Sequence, residues 1–224
     1  VKKKMRRVSQ LGLVWLSRHG VFAQKNRLGI LQTDIKKRKV KTVTEDIISW
    51  SKDFIELPNK HLGGVPACPF AKKARLNDRV RILEINNSYQ LLETIIHECE
   101  TIKELDKQIT IIGCDDLFIT AEELNNYIHA LNHVFVPKDV YLMCFHPEDE
   151  EEDEPVTFLE DTEWHPDNEF LMVLIQPFEE LEKASANLER IGFYRSWPRD
   201  YYEGTVLKRQ SYRRLKNAGN EKTS

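Results

Sequence analysis

Long apolar runs are missing from this sequence, and its few cysteines show no paired spacing. No apolar stretch approaches the roughly 20 residues that a transmembrane helix needs, so we expect no membrane partner. The cysteines form no CxxC or other zinc-type pair, and three of the four sit inside apolar runs, where a reduced cysteine behaves as a small hydrophobe. We therefore expect a soluble, cytoplasmic protein with reduced cysteines at Cys68, Cys99, Cys114 and Cys144.

Acidic residues are nearly absent from residues 1–42, which contain 13 Lys or Arg and a single acid, Asp34. Such a segment fits an organelle-targeting sequence, a nucleic-acid-binding arm or a solvated tail. We expect a disordered extension, with organelle targeting as the alternative.

Residues 148–163 have the opposite composition: they contain ten acids and no Lys or Arg. This run lacks the spacing of an EF-hand and is typical of a solvated loop.

The region between these segments alternates between strand and helix patterns. The order β-α-β-α-β implies parallel pairing with right-handed crossovers, and strands that are apolar on both faces imply a sheet covered on both sides. A fourth strand follows without a helical crossover, so we expect it to be antiparallel. The prediction is an α/β fold, a three-layer sandwich with a mostly parallel four-stranded sheet (β-α-β-α-β-β-α) and flanking terminal helices. Strands are predicted at residues 79–85, 109–114, 139–145 and 170–175, and helices at 44–57, 88–105, 120–136 and from 177 onward.

We divide the chain into a basic extension (1–42), a single α/β domain (43–195) and a basic, aromatic C-terminal helix and tail (196–224). From residue 190 onward, aromatic residues are interleaved with arginines. Stacking combined with phosphate neutralisation is how single-stranded nucleic acid is held, so nucleic acid is one candidate partner. No RNP, KH or helix-turn-helix signature accompanies the pattern. We therefore favour a terminal helix that packs its aromatic residues on the domain and exposes its arginines to water.

Polar side chains follow three of the predicted strands at the points where they end. In α/β sheets, ligands bind beyond the carboxyl ends of the parallel strands, and an antiparallel fourth strand would begin at the same edge. Histidines and carboxylates converging there would suit a divalent metal or acid–base catalysis on a small-molecule substrate. The alternative is that turns recruit Asp and Asn for backbone reasons alone. The candidates are Asp115, His146 and Glu148 as catalytic residues, and Asp115, His146 and His165 as metal ligands.

The sequence around His146 and around the pair His129 and His133 indicates what these histidines can do. Pro147 restricts the backbone of His146 to extended conformations directly after a buried strand. A neutral imidazole there could bind a metal or act as a base, and the alternative is a partly buried histidine bonded to the backbone. His129 and His133 have the i, i+4 spacing of a helical metal pair. Both lie nearly opposite the apolar stripe of their helix, so we expect them on the surface without a third ligand.

The CPFA motif at residues 68–71 is similar to the active-site turn of glutaredoxin-like proteins and omega-type glutathione transferases. In that fold a strand precedes the cysteine and a long helix follows it. Here a predicted helix and a Gly-Gly turn precede the motif, and only a short stretch separates it from the next strand. A packed, structural thiol is the favoured interpretation. The alternative is a reactive, catalytic Cys68 whose pKa is lowered by Lys72 and Lys73.

The two motifs and their order together carry a family resemblance. A helix containing Trp50 precedes the CPFA motif, the alternating strands and helices follow, and the FHPE motif (residues 145–148) comes directly after the third strand. Over about residues 43–190 this arrangement resembles the bacterial family catalogued as domain of unknown function 1415. The resemblance implies a small cytosolic α/β protein in which Cys68 and His146 occupy recurring positions. The acidic run after His146 and the segment 164–168 depart from the family pattern.

These observations leave two functional hypotheses. The first is a small-molecule enzyme, metal-assisted or thiol-dependent, with hydrolytic or redox chemistry at the carboxyl edge of the strands. The second is a non-catalytic binding or adaptor protein that uses its basic ends and acidic loop as contact surfaces, nucleic acid included. The first hypothesis assigns catalysis to Cys68, His146, Asp115 and Glu148.

Overall fold

The described part of the chain, residues 41–148 and 169–216 of a computed structural model, begins with a capped helix. The Thr42 hydroxyl accepts a hydrogen bond from the backbone N–H of Glu45 at 3.1 Å, and the Glu45 carboxylate accepts one from the N–H of Thr42 at 2.9 Å. This capping box starts helix α1 (Val43–Trp50). A π-helical turn, Ser51–Ile55, continues it. The helix predicted at 44–57 thus lies at 43–55.

The CPFA motif lies between a small hairpin and a short helix. Strands β1 (Pro58–Asn59) and β2 (Val65–Pro66) pair antiparallel, and helix α2 (Ala71–Leu76) follows the motif. Between the two strands, Gly63 and Gly64 have φ angles of 76° and 80°, which glycine adopts without steric cost. The pattern did not indicate this hairpin, because two-residue strands are too short to show alternation.

Four strands form the central sheet: β3 (Val80–Ile85), β4 (Ile109–Cys114), β5 (Val140–Phe145) and β6 (Leu171–Pro177). Their spatial order is β3-β4-β6-β5. Strands β3 and β4 pair in parallel, whereas β6 is antiparallel to both of its neighbours. Three strands therefore point one way and the last strand points the other way, as predicted. The sequence pattern did not indicate that β6 enters between β4 and β5, which leaves β5 at an edge of the sheet.

Helices cover both faces of the sheet, so the predicted α/β sandwich is confirmed. Helices α3 (Leu91–Thr101) and α4 (Ala121–Phe135) connect the parallel strands and pack on one face. Helix α1 packs on the other face. Alternate strand residues serve the two cores: Ile112 belongs to the α3–α4 core, whereas its neighbour Ile111 belongs to the α1 core.

The C-terminal residues extend the layer formed by α1. After helix α5 (Phe178–Arg190) the chain continues through a 3₁₀ turn, two short helices and a π-helical turn between them. Tyr201 packs against the α1 core, and Tyr212 packs with Tyr141 and Phe178. The aromatic residues therefore pack on the domain, as favoured above. These later elements are the turn Phe193–Ser196, helix α6 (Arg199–Tyr202), the π-helical turn Glu203–Leu207 and helix α7 (Lys208–Ser211).

One arginine of this segment is not in water, contrary to the expectation. Arg209 is 3% exposed, and its Nε lies 2.6 Å from Oε1 of Glu182 on α5. Arg213 pairs with the same carboxylate. The buried guanidinium is accommodated because a carboxylate neutralises it. Within residues 41–148 and 169–216, no helix combines the length and the apolar character that crossing a membrane would need.

Candidate functional site

The predicted strand edge exists in the fold. The last residue of β3, Ile85, pairs with Cys114 at the end of β4, and Cys114 pairs with Leu171 at the start of β6. Phe145, which ends β5, pairs with Met172. The polar residues that follow these strands therefore share one edge of the sheet. The predicted metal ligand His165 lies outside the described residues.

Several polar side chains at this edge bond to the backbone of their own turns. Asn87 Oδ1 accepts from the N–H of Tyr89 at 2.8 Å, and Asp116 Oδ1 accepts from the N–H of Phe118 at 3.2 Å. These are the backbone roles that turns commonly assign to Asn and Asp. The predicted catalytic carboxylates, Asp115 and Glu148, are both exposed.

His146 is buried and bonded to the backbone on both sides of its ring. It is 5% exposed. Its Nδ1 accepts from the N–H of Glu148 at 3.1 Å, and its Nε2 donates to the carbonyl of Ile119 at 3.0 Å. A metal or a proton could reach a ring nitrogen only after one of these hydrogen bonds breaks. The described residues contain no group of three or more His, Cys, Asp or Glu side chains placed to hold a metal ion.

Cys68 has the environment of a packed thiol. Burial raises the pKa of the Cys68 thiol, outweighing backbone hydrogen bonds from Phe70 and Ala71. A packed thiol is the favoured interpretation of the sequence, and the alternative is that Lys72 and Lys73 lower this pKa. Both lysines are exposed, so water screens their charges.

Cys68 and His146 pack in different layers of the sandwich. The backbone N–H of Cys68 donates to the carbonyl of Ile55, which packs against the α1 core. Ile119, the partner of the His146 ring, packs against the α3–α4 core on the other face of the sheet. The two motifs of the family resemblance therefore do not meet in one site through these contacts.

A pocket of about 130 Å³ lies elsewhere, beside the edge strand β5. Helix α4 forms one wall, β5 forms the floor, and the C-terminal segment forms the other wall. The pocket reaches the last two residues of β5, close to the predicted edge. Its lining residues are Asn125, Ile128, His129, Asn132, Tyr141, Leu142, Met143, Cys144, Phe145, Gly204, Thr205, Lys208 and Tyr212.

Asn132 closes the outer edge of β5 at the base of this pocket. Its Oδ1 accepts from the N–H of Leu142 and its Nδ2 donates to the carbonyl of Leu142, both at 2.9 Å. The side chain is 2% exposed. An edge strand needs such partners, because buried backbone groups without a hydrogen bond are costly. The two bonds also define which atom of the amide is oxygen and which is nitrogen.

His129 and Tyr212 form the polar wall of the pocket. The Nδ1 of His129 lies 2.6 Å from the hydroxyl of Tyr212. The ring of His133 packs edge-on against His129, with centroids 4.8 Å apart, and also contacts Tyr212. Tyr212 is 4% exposed. Its pKa is raised by burial, and a hydrogen bond from Asn132 partly opposes the rise.

The contact between Tyr212 and His129 suits one tautomer of the histidine ring. Because burial raises the pKa of Tyr212, its hydroxyl is protonated at neutral pH and has a proton to donate. The Tyr212 hydroxyl lies within hydrogen-bond distance of Nδ1 of His129, which accepts this proton when the ring carries its own proton on Nε2. We assign this tautomer to the neutral ring, because it gives the Tyr212 hydroxyl an acceptor. Among the described residues, Nε2 has no hydrogen-bond partner, and it can donate to a ligand.

The sequence contains a pattern that indicates this polar wall and that the sequence analysis did not use. Asn125, His129 and Asn132 recur at i, i+4 and i+7 and so share one face of α4. His129 and His133 are exposed, as expected. Tyr212 contacts both rings, and it comes from a segment that the pattern could not place against α4.

The chain was compared with protein-family models, curated proteins and solved structures. No protein-family model, curated protein or solved structure matches this chain. The resemblance to domain of unknown function 1415 therefore stays a prediction, and so do the activities considered for the strand edge.

Proposed function

We propose that this protein binds a small molecule in the pocket beside β5, and that His129 donates a hydrogen bond to it. The observation that carries the proposal is that polar side chains lining the pocket are held in place: Asn132 by two bonds to the backbone of Leu142, and His129 by its contact with Tyr212. Asn132 is anchored to the backbone of the sheet, and Asn132, His129 and Tyr212 all line the pocket. Binding sites commonly combine an apolar concave wall with a few polar groups held in one orientation.

The size of the pocket supports a ligand of a few heavy atoms. An apolar cavity of about 150 Å³ holds benzene, and this pocket measures about 130 Å³. Ile128, Met143 and Phe145 supply apolar contacts. In an enzyme built on this site, the Nε2–H of His129 would polarise an oxygen of the substrate, as a neutral imidazole can.

This proposal changes the residues assigned to the small-molecule hypothesis. A thiol whose pKa is raised is a poor nucleophile at neutral pH, which counts against catalysis by Cys68. A metal-assisted reaction would depend on His165, outside the described residues, together with Asp115 and His146. The pocket beside β5 needs neither group.

The second hypothesis, an adaptor that contacts nucleic acid, has less support among the described residues. Arg199 pairs with Glu203, and Arg209 and Arg213 pair with Glu182. Arginines held in this way are less available to phosphates. A steep loss of nucleic-acid binding between low and moderate salt would favour this hypothesis.

A fragment screen on three proteins tests the pocket. Gly204 lines the pocket, and a Cβ built on it meets no atom within 4 Å, so we choose this position for a larger residue designed to fill the pocket. We expect neutral and charged compounds of about benzene's size to show saturation-transfer NMR signals with the wild type and with Gly204→Ala. Gly204→Phe should abolish these signals while its thermal unfolding stays cooperative. Thr205→Trp provides a second block if Gly204→Phe does not fold.

The screen has two outcomes that would overturn the proposal. One is that no compound binds the wild type. The other is that the blocked variants bind the same compounds equally well, which would locate binding elsewhere on the molecule.

A further inference from the structure

The charge of the pocket indicates which ligands it suits. None of its lining residues is Asp or Glu, whereas Lys208 and His129 both contribute to its wall. Lys208 forms no ion pair with any carboxylate in the ranges that the structure describes. Glu182, a carboxylate close enough to affect the pKa of Tyr141 at the floor of the pocket, is already shared by Arg209 and Arg213. The surroundings therefore favour a negatively charged ligand.

The donors of the pocket match a planar group with two oxygens. Nδ1 of His129 is engaged by Tyr212, which leaves Nε2 for a ligand, and the exposed Lys208 on the C-terminal wall brings a cation to the pocket. A phosphate or sulfate is usually held by several backbone N–H groups or by bidentate arginines. The two nearby arginines, Arg209 and Arg213, are committed to Glu182. One hydrogen-bond donor and one cation suit a carboxylate better than a phosphate.

The rest of the lining matches an apolar body. Ile128, Leu142 and Met143 contribute to the same wall and floor, and Tyr141 adds a buried ring. Because the volume is about 130 Å³, close to that of a cavity that holds benzene, a single small ring or a short branched chain fills it. A ligand with a hydrophilic body would leave these apolar contacts unused.

We infer that the ligand of this pocket is a small monocarboxylate with an apolar body, held by Lys208 and by the Nε2–H of His129. This inference rests on the proposed function and specifies its ligand class. In this arrangement Tyr212 and Asn132 are positioning residues: Tyr212 holds Nδ1 of His129, and Asn132 is bonded to the backbone of Leu142 at the base of the pocket.

Benzoate and benzamide form a matched pair of probes, since they have nearly the same shape and differ in charge. We expect calorimetric titration of the wild type near neutral pH to give at least about tenfold tighter binding for benzoate, the usual effect of a charge-assisted hydrogen bond. Lys208→Met should remove this preference, and Lys208→Arg should keep most of it. Added salt should weaken the binding of benzoate more than the binding of benzamide.

The outcomes separate the inference from the proposed function. Equal binding of the two probes to the wild type, lost in Gly204→Phe, would overturn the carboxylate inference and leave the pocket in place. Benzoate binding that persists in Gly204→Phe would overturn both. Failure of benzoate to bind, in a protein whose pocket binds neutral fragments, would overturn the inference alone.

The tautomer of His129 supplies an independent readout of the positioning residues. We expect ¹⁵N chemical shifts of the wild type to report an unprotonated Nδ1 and a protonated Nε2 for the neutral ring. Tyr212→Phe keeps the ring but removes the hydroxyl, so the signals should move toward a mixture of tautomers. A merely structural role for Tyr212 would change stability and leave the tautomer unaltered, which would contradict the inference.

Discussion

At the scale of single residues, the two candidate histidines of this protein differ in how many of their ring nitrogens already have a hydrogen-bond partner. His146 uses both ring nitrogens on backbone groups, whereas His129 uses one on Tyr212. The sequence made His146 the better candidate for a ligand-binding residue. In the fold its ring is buried and both nitrogens are hydrogen-bonded, so His129 is the more available of the two. A side chain with satisfied hydrogen bonds contributes to stability, and one with a remaining donor beside a pocket can serve a ligand.

Cys68 gives a prediction at this scale. Because burial raises its pKa, we expect its alkylation by iodoacetamide to reach half of the maximal rate at a higher pH than that of glutathione. Peptide mass spectrometry after pulsed labelling from about pH 6 to about pH 10 would measure this midpoint. The midpoint reports the thiolate fraction and does not depend on how accessible the thiol is.

The denatured protein is the control for Cys68. In urea the burial is lost, so the midpoint should return to that of glutathione. A midpoint below that of glutathione in the folded protein would contradict the prediction and restore the reactive-thiol interpretation.

At the scale of elements, the close approach of α1 to the sheet depends on one glycine. A Cβ added at Gly113 in β4 would lie 2.5 Å from Cγ1 of Val43 and 2.6 Å from Cδ1 of Ile47. Ile47 can turn the end of its side chain away, but the β-branched Val43 is stiff. The glycine therefore allows α1 to cover β4 closely, and the core of that face depends on it.

Gly113→Ala should lower the free energy of unfolding by about 1–3 kcal/mol, the usual cost of overpacking a core. Urea denaturation would measure the loss. The double variant Val43→Ala/Gly113→Ala should lose less than the sum of the single losses, because the smaller side chain relieves the clash.

Gly204→Ala is the matched control for Gly113→Ala, since its added Cβ meets no atom within 4 Å. It should leave stability unchanged or raise it by up to about 1 kcal/mol. Equal effects of the two substitutions would rule out the packing explanation.

At the scale of the whole molecule, the C-terminal segment is held to the domain by a shared carboxylate. Glu182 on α5 pairs with Arg209 and Arg213, and the Arg209 side chain is 4% exposed. The same segment supplies Tyr212 and Lys208 to the pocket. The stability of this attachment and the integrity of the pocket are therefore linked.

Glu182→Gln should destabilise the protein by about 3 kcal/mol, because it leaves the Arg209 guanidinium buried without a counter-charge. Urea denaturation would give the size of the effect, and hydrogen exchange should show faster opening of residues 199–216. Asp106→Asn is the control, since the Asp106 side chain is 87% exposed in its ion pair with Arg79 and lies outside the C-terminal segment. It should cost less than about 1 kcal/mol. Similar losses in the two variants would contradict this account.

Much of the fold could be read from local patterns. The apolar run at 109–114 coincides with β4. Thr120 and Glu123 form the capping box at the start of α4, and the missing crossover indicated an antiparallel last strand. These features depend on residues that are close together in the chain, so a local sequence pattern is sufficient to predict them.

The candidate site depended on contacts that no local pattern encodes. The sequence by itself determined the strands, the helices and the edge where the strands end. Only the tertiary structure decided that β6 enters the sheet beside β4, that β5 becomes an edge strand closed by Asn132, and that Tyr212 reaches His129 across 83 positions of the chain. The physical reason is that burial and hydrogen-bond satisfaction are properties of the packed molecule, and they decide which polar groups remain available to a ligand.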